Sequence, residues 1–283
     1  MRQPPMLMFR RALVRRCYST SAALPTLTPP PASFTRAELA KIQKVLLPAP
    51  MEPIATLAPH TLANMAKPPR EAAVLIPLCN IGGVAHLLME VRAAGLRVHA
   101  SEASFPGGKW EDGDENMVAA ALRETEEELA LPQDHVEILG SLPPEYSLGN
   151  KSRVWPVIGF VNCEDAVEAA IDDAVDPSDR LHRPIPSISL SSLKPDAGEV
   201  SGLLPLPLSA VADPARMSPH YFRLDGHRPY WKIRCGDLVI PPPEDEGPEP
   251  LEIWGLSGWF LSRLAVRCGW SDTPEVSLPP EDD

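Results

Sequence analysis

The chain has 283 residues, with 38 Asp and Glu against 26 Lys and Arg, which gives a net charge of −12. This length allows one domain with extensions or two small domains, and the acidic balance argues against nonspecific nucleic-acid binding. The five cysteines are scattered and form no CxxC pair, so neither a disulfide framework nor a zinc site is indicated. No apolar run approaches the roughly 18 to 20 residues that span a bilayer.

The N-terminal segment has the composition of a targeting peptide. Residues 1–37 contain no Asp or Glu, and five arginines within the first 16 residues supply positive charge: Arg2, Arg10, Arg11, Arg15 and Arg16. An arginine-rich, acid-poor segment with an apolar helical stripe is typical of a mitochondrial presequence. We therefore predict a mitochondrial targeting segment over residues 1–24, with a disordered basic tail as the structural alternative and a peroxisomal location as the alternative destination.

Residues 25–69 are rich in proline and are predicted to be an N-terminal extension with one short helix. The helix is expected over Thr35–Leu47, with Thr35 as its N-cap and Glu38 completing a capping box. Pro48 ends it. The last residues, 271–283, are predicted to form an acidic disordered tail.

One domain is expected over residues 70–270. Its strands are predicted at 71–80, 84–92, 135–142 and 154–161, and the fold is expected to resume at 199–200 and 203–208. A Gly-Gly turn pairs the first two as a hairpin, and a late hairpin is expected to join 230–233 to 239–240. Residues 253–266 are predicted to form an amphipathic helix. Residues 164–198, which are acidic and Ala-rich and then Ser- and Pro-rich, are predicted to be a mobile insertion.

The most informative segment, FPGGKWEDGDENMVAAALRETEEELAL, places a glycine-rich turn before a helix-forming run. At about 100° per residue, Glu124, Glu127 and Glu128 share one side of this helix and apolar residues occupy the other. Like charges at this spacing repel one another unless a cation lies among them, and oxygen ligands suit Mg²⁺ or Mn²⁺. The alternative is a solvated helix face, which is how we interpret Glu126. Arg123 is spaced to pair with Glu127.

This segment resembles the Nudix box, Gly-x5-Glu-x7-Arg-Glu-U-x-Glu-Glu-x-Gly-U, where U is aliphatic. Arg123 and the three helix glutamates match it without adjustment, whereas Gly108 stands one residue early and Ala130 replaces the last glycine. The extra residue leaves Asp114 and Glu115 competing for the first acidic position. A match of this length is far more specific than a lone glycine motif.

The resemblance implies an α/β class fold, a Nudix α/β/α sandwich with a mixed, mostly antiparallel sheet. It also implies hydrolysis of a diphosphate linkage with Mg²⁺ or Mn²⁺ as the cofactor. The metal ligands are then Glu124, Glu127 and Glu128, and the catalytic group is Glu128, Glu124 and Arg123. Glu128 is the first choice of general base, and Glu199 is a weaker candidate.

Upstream, LLMEVRA is followed at fixed spacing by Arg97, Ser101 and FPGG. This resembles the signature of the coenzyme A diphosphatase branch of Nudix hydrolases, Leu-Leu-Thr-x2-Arg-[Ser/Ala]-x3-Arg-x3-Gly-x3-Phe-Pro-Gly-Gly, with Met89 and Ser101 as departures. Arg92 and Arg97 could then hold phosphate oxygens through forked hydrogen bonds, although two ordinary surface arginines are the alternative. The predicted substrate-binding residues are Arg92, Arg97, Gly107, Gly108 and Lys109.

By this resemblance the substrate is coenzyme A (CoA) or an acyl-CoA, cut to 3′,5′-ADP and (acyl-)4′-phosphopantetheine. Two alternatives stay open. One is the same chemistry on another nucleoside diphosphate derivative, such as ADP-ribose or NADH. The other is a catalytically inactive Nudix binding module. The expected partner is a small-molecule substrate, with no nucleic acid and no membrane span, and the sequence predicts neither acyl preference nor oligomeric state.

Overall fold

A computed structural model describes residues 27–53, 70–96, 99–147, 151–162, 177–242 and 250–275. The targeting segment predicted at 1–24, the side chain of Arg97 and most of the tail predicted at 271–283 lie outside these ranges. Within them, the helices are all too short or too polar to cross a bilayer.

The described residues form four α-helices and eleven strands. The helices are α1 (Arg36–Val45), α2 (Met117–Leu129), α3 (Pro177–His182) and α4 (Gly255–Cys268). The strands are β1 (Arg70–Ile81), β2 (Val84–Arg92), β3 (Ala103–Ser104), β4 (Gly107–Lys109), β5 (Val136–Ser141), β6 (Glu145–Ser147), β7 (Ser152–Val161), β8 (Val200–Pro207), β9 (Met217–Tyr221), β10 (Pro229–Arg234) and β11 (Glu252–Ile253). Short 3-10 turns occupy Gln133–His135, Leu190–Ser192, Leu208–Ala212, Phe222–Leu224 and Gly236–Leu238.

The main sheet has the order β3-β2-β1-β7-β5, with β8 pairing β2, β4 pairing β1 and β6 pairing β7. Only the β1–β7 pair among these described strands is parallel. The prediction of a mixed, mostly antiparallel sheet is therefore confirmed. A second sheet of three strands, β11-β10-β9, stands apart from it.

Two apolar cores lie on opposite faces of the main sheet. Successive residues of a strand point to opposite faces, and so Leu75 packs with Ala121 of α2 while Ile76 packs with Phe260 of α4. Both residues of β1 are fully buried. A strand covered on both faces reads as a continuous apolar run, and β1 has that composition. This arrangement of helices about a sheet is the expected α/β class.

The predicted N-terminal helix belongs to the folded unit. The hydroxyl of Thr35 accepts the amide of Glu38 at 3.2 Å, as expected of an N-cap, while the carboxylate of Glu38 pairs with Lys41 instead of closing a capping box. Phe34, just before the cap, is fully buried and meets Phe160 edge-on at 5.8 Å. The helix is thus anchored to the core of the domain, more tightly than an appended extension would be.

The predicted mobile insertion at 164–198 needs correction in its second half. Its first part, up to residue 176, lies outside the described residues. Further on, Ile185 and Ile188 are buried, and their amides donate to the carbonyls of Phe34 and Asn80, both at 2.9 Å. A Ser- and Pro-rich segment can pack in this way because neighbouring chain satisfies its backbone groups and a few aliphatic residues supply the anchors.

The predicted late hairpin is also wrong. β10 pairs with β9 and β11, and residue 240 instead bridges Leu203 of β8. The 3-10 turn Gly236–Leu238 carries the chain away from β10, and Pro241 and Pro242 then have no amide with which to continue a strand.

Candidate active site

Gly107 and Gly108, the first two residues of β4, lie directly against the acidic helix α2. The side chain of Asn116 caps α2, which presents its carboxylates to β4. A Cβ atom on Gly108 would lie 2.4 Å from Cδ of Glu124, so a larger residue there would displace this carboxylate. The amide of Gly107 donates to Glu128 at 2.7 Å. The two glycines, predicted to bind substrate, therefore hold the two carboxylates in place.

Arg123 is the ionic centre of this region. Its Nε and Nη2 donate to both carboxylate oxygens of Asp114 at 2.9 and 3.1 Å. The same guanidinium donates to Glu127 at 3.0 Å and to Glu124 at 3.2 Å. Nη2 also donates to the carbonyl of Lys109 at 2.9 Å, which ties α2 to β4. Arg123, predicted as catalytic, is placed as a positioning residue, because all of these contacts orient other groups.

Of the two acids that compete for the first acidic position of the motif, Asp114 is the one that pairs with Arg123. Its side chain is buried and also accepts the amide of Glu111 at 2.9 Å. Although burial opposes ionisation, the hydrogen bonds and charge of Arg123 hold the pKa of Asp114 below its ordinary value. Glu115 is exposed.

The three predicted metal ligands have different surroundings. The side chain of Glu128 is 3% exposed and that of Glu124 is 17% exposed, and both line the cleft described below. Glu127, at 59% exposed, lies at the rim in its pair with Arg123. Burial raises the pKa of Glu128 to about 7 and also raises the pKa of Glu124. Glu124 and Glu128 thus both line the cleft, in an environment that disfavours their ionised forms.

Sequence reasoning missed Glu90, a fully buried carboxylate in β2. Its Oε1 accepts a long hydrogen bond from Nη1 of Arg92 at 3.4 Å, and the same nitrogen donates to Glu128 at 3.3 Å. Among the described residues, Oε2 of Glu90 has no hydrogen-bond partner. Burial, together with the charge of Glu128, raises the pKa of Glu90 well above its ordinary value. A lone Glu within the apolar run LLMEV was the available signal, because burying such a group is costly unless a cation pairs with it.

Arg92 and Glu199 complete the charged end of the site. Both line the cleft, and the charge of Glu199 adds to the causes that raise the pKa values of Glu124 and Glu128. Glu199 is exposed at the start of β8. The exposed Lys109 also lines the cleft. The second signature arginine lies outside the described residues.

The cleft itself has a volume of about 530 Å³. The carboxylates and Arg92 line one part of it. Another part is apolar and is contributed by Leu96, Phe105, Trp254, Leu256 and Phe260. Trp254, at the start of α4, is 47% exposed, which is unusual for so large an apolar side chain. The site can therefore take a ligand that carries both a polyanionic and an apolar portion.

Comparison with known proteins agrees with this geometry. The NUDIX domain family matches residues 69–184. The chain is 32% identical over 202 residues to the uncharacterized Nudix hydrolase NudL of Shigella boydii serotype 4 (strain Sb227), covering 71% of this chain and 83% of that protein. This chain belongs to the Nudix hydrolase family. NudL of Escherichia coli O1:K1 / APEC is 31% identical with the same coverage.

A solved Nudix hydrolase, RenU from M. Smegmatis, aligns with 18% identity over 49% of this chain and 70% of its own, with a TM-score of 0.33. A likeness this distant carries no argument about substrate. Family membership does establish the class of activity. The chain is a Nudix hydrolase acting on a nucleoside diphosphate derivative.

Nudix hydrolases generally use a divalent metal such as Mg²⁺ or Mn²⁺, and the residues present fit such an ion. The donors are all carboxylate oxygens, as a hard cation prefers, and the buried Oε2 of Glu90 lacks a partner among the described residues. Within the described ranges no three acidic, His or Cys side chains are already gathered tightly about one point.

One departure from the Nudix box has a visible structural consequence. Ala130, which replaces the last glycine of the box, ends α2 in the left-handed conformation with φ 53° and ψ 35°. Glycine adopts that conformation without steric cost, whereas a Cβ makes it unfavourable. The end of α2 therefore has the conformation that favours glycine, although alanine occupies the position.

Proposed function

We propose that this Nudix hydrolase cleaves the diphosphate linkage of CoA or an acyl-CoA, releasing 3′,5′-ADP and (acyl-)4′-phosphopantetheine. The observation that carries the proposal is the composition of the cleft, where carboxylates and Arg92 adjoin an apolar wall that includes Trp254 and Phe260. CoA has matching parts, a diphosphate and a long pantetheine chain. Arg92 is also the first arginine of the motif that resembles the CoA diphosphatase signature.

The proposed roles follow from the contacts. Glu124 and Glu128, with Glu127 at the rim, would hold Mg²⁺ or Mn²⁺, which when bound neutralises phosphate charge and lowers the pKa of a water molecule. Arg92 extends a guanidinium group beside Glu128 and would hold an oxygen of the same diphosphate. Arg123 and the turn of Gly107 and Gly108 would keep the carboxylates oriented toward the diphosphate.

The contacts favour Glu199 as the general base over the first choice, Glu128. Both oxygens of Glu128 already accept hydrogen bonds, Oε1 from Arg92 and Oε2 from the amide of Gly107. Glu199 is exposed in the cleft beside them, where a water can reach it. In this proposal Glu199 takes the proton of the water that attacks phosphorus.

A substrate screen tests the proposal. The purified chain would be assayed with Mg²⁺ or Mn²⁺ against CoA, acyl-CoAs, ADP-ribose and NADH, with the products identified by mass. We expect CoA or an acyl-CoA to have the highest kcat/KM and to yield 3′,5′-ADP. A higher kcat/KM for ADP-ribose or NADH would assign the site to another nucleoside diphosphate derivative. Hydrolysis of none of them would favour the inactive binding module.

We also propose that the protein is mitochondrial, on the basis of its arginine-rich N-terminus. A fluorescent fusion carrying residues 1–40 should enter mitochondria. The matched control replaces four arginines by glutamine (Arg10, Arg11, Arg15 and Arg16) and should remain in the cytosol. Unchanged import of the control, or a peroxisomal signal from the full chain, would contradict the proposal.

A further inference from the structure

Near the cleft, Glu145 lies beside Arg223 and Arg228, and Arg263 and Arg267 are close to this group. Arg228 donates to Glu145, and Nη1 of Arg223 lies 4.0 Å from the same carboxylate. Arg263 lies close enough to feel the charges of Arg267, Arg228 and Glu145. One carboxylate against four guanidinium groups leaves a local excess of positive charge, in a chain whose net charge is −12.

An aromatic platform holds three of these arginines. The rings of Phe222 and Trp259 stack with centroids 4.8 Å apart and planes 17° apart. The guanidinium carbon of Arg228 lies 4.7 Å from one ring centroid and 4.5 Å from the other. Arg223 lies 4.7 Å from the centroid of Phe222, and Arg263 lies 5.5 Å from that of Trp259. Stacking of this kind fixes guanidinium groups and leaves their edges available to an anion.

The hydrogen-bonding capacity of the cluster is not filled by the protein. Among the described residues, the buried Nη2 of Arg223 and the buried Nε of Arg267 have no acceptor. Arg223 also has φ 59°, a conformation that is uncommon for any residue except glycine. Burial and the charges of Arg267 and Arg228 lower the pKa of Arg263. Unsatisfied buried donors are costly. The side chains of Arg223 and Arg228 are still 24% and 26% exposed, so an anion with several oxygens can reach the cluster.

Part of the cluster lies on two elements that also contribute residues to the cleft. Phe260 lines the cleft, and Arg263 lies three residues further along α4, on the same side and about 4.5 Å along the helix axis. Ser147 of β6 also lines the cleft, and Glu145 lies two residues earlier on the same face of that strand. Two separate elements therefore place the arginines next to the substrate cleft.

We propose that Arg223, Arg228 and Arg263 form a subsite for a phosphate monoester of the substrate, apart from the diphosphate held at α2. This rests on the proposed function, under which the group is the 3′-phosphate of CoA. A phosphate monoester is close to a dianion at neutral pH and presents three acceptor oxygens. The guanidinium groups of the cluster carry more donors than the single carboxylate of Glu145 can accept, so they suit such a group.

Kinetics on two matched substrates test the subsite. Dephospho-CoA differs from CoA only in lacking the 3′-phosphate. Arg223→Gln and Arg263→Gln should lower kcat/KM for CoA by about ten- to a hundred-fold and change that for dephospho-CoA by less than about twofold. Arg216→Gln is the control, because this arginine pairs with Asp237 in the 3-10 turn after β10, and the change should leave both substrates unaffected. Equal losses on both substrates would overturn the proposal.

A binding measurement separates this inference from the choice of substrate. Calorimetric titration of the wild-type chain with 3′,5′-ADP and with 5′-AMP compares ligands that differ by one 3′-phosphate, without any hydrolysis. Tighter binding of 3′,5′-ADP, lost in Arg263→Gln, would support the subsite even if CoA proved not to be hydrolysed. Equal affinities in the wild type would overturn it whether or not the variants fold.

Discussion

Two arginines balance the acidic cluster from opposite sides. Arg123, on α2 itself, pairs with acids of its own segment and with a carbonyl of β4. Arg92 comes from β2 and bridges Glu90, two positions away on the same strand, and Glu128, which is 36 positions away along the chain. The first arginine orders the acidic helix, while the second joins that helix to the sheet. Loss of Arg123 should therefore disturb the order of α2, whereas loss of Arg92 should weaken the contact between α2 and β2.

The carboxylates of α2 should be needed for turnover. Glu127→Gln or Glu128→Gln is expected to lower kcat by a factor of at least about 10², equivalent to roughly 2.7 kcal/mol of transition-state stabilisation. Glu126→Gln is the control, since this side chain is exposed and, within the described part of the chain, accepts a hydrogen bond from Gln133. Steady-state kinetics at saturating Mg²⁺ would measure both. Near wild-type turnover in either ligand variant would refute the assignment.

The left-handed residue at the end of α2 allows a test on stability. Ala130→Gly should raise the free energy of unfolding by roughly 0.5 to 1 kcal/mol, because relief of the strained φ outweighs the added flexibility of the unfolded chain. Ala119→Gly, inside the same helix, should lower it by about 1 kcal/mol. Urea unfolding followed by circular dichroism measures both changes. A loss of stability in Ala130→Gly would show that the conformation is not strained.

At the level of elements, β1 organises the domain. It pairs with β2, β4 and β7 and separates the two apolar cores. At its end, the fully buried Asn80 accepts the amide of Phe34 at 2.8 Å and donates to the carbonyls of Phe34 and Ile185 at 2.9 and 2.7 Å. One side chain thereby fastens the N-terminal segment and the segment before β8 to the sheet.

Loss of this side chain should loosen both segments together. Asn80→Ala is expected to lower the free energy of unfolding by at least about 2 kcal/mol, because the buried amide of Phe34 and the carbonyl of Ile185 lose their partner. Gln43→Ala, on the exposed face of α1, should change it by less than about 0.5 kcal/mol. Hydrogen exchange should show increased exchange at the amides of Phe34 and Ile185. Protection unchanged from wild type would contradict the clamp.

For the whole molecule, the clustering of carboxylates at one site links metal binding to the pH dependence of folding stability. Burial raises the pKa of Glu128 to about 7, so the folded state holds a proton there that the unfolded chain releases at lower pH. The stabilising contribution of that proton is present below the unfolded pKa and is lost as pH rises through about 7. A divalent ion at the same carboxylate would compete with the proton.

Stabilisation by metal should therefore grow with pH. The rise in Tm on adding Mg²⁺ is expected to be larger at pH 8 than at pH 6, since apparent affinity falls as much as about tenfold per pH unit for each proton displaced. Thermal melts with Mg²⁺ or EDTA would measure this. Glu128→Gln should reduce both the shift and its pH dependence. An equal shift at both pH values would argue against metal binding at this carboxylate.

Local patterns were sufficient to predict much of the fold and part of the site. The acidic face of α2, its pair between Arg123 and Glu127, and the β1–β2 hairpin were all predictable, because each depends on residues within a few positions of one another. The box spacing likewise located the glycine turn that contacts Glu124. These features follow from helical and strand periodicity and from the conformational freedom of glycine.

Only the tertiary structure decided which distant residues share the site. Glu90 and Glu199 join the carboxylates of α2 because β2 and β8 pair beside that helix, and no local pattern encodes that pairing. The segment before β8 docks through backbone hydrogen bonds, including one from the amide of Asp196 to the carbonyl of Glu128. A Ser- and Pro-rich segment of this kind has too few apolar residues to form a core by itself. Its order comes from surfaces that exist only after the rest of the chain has folded.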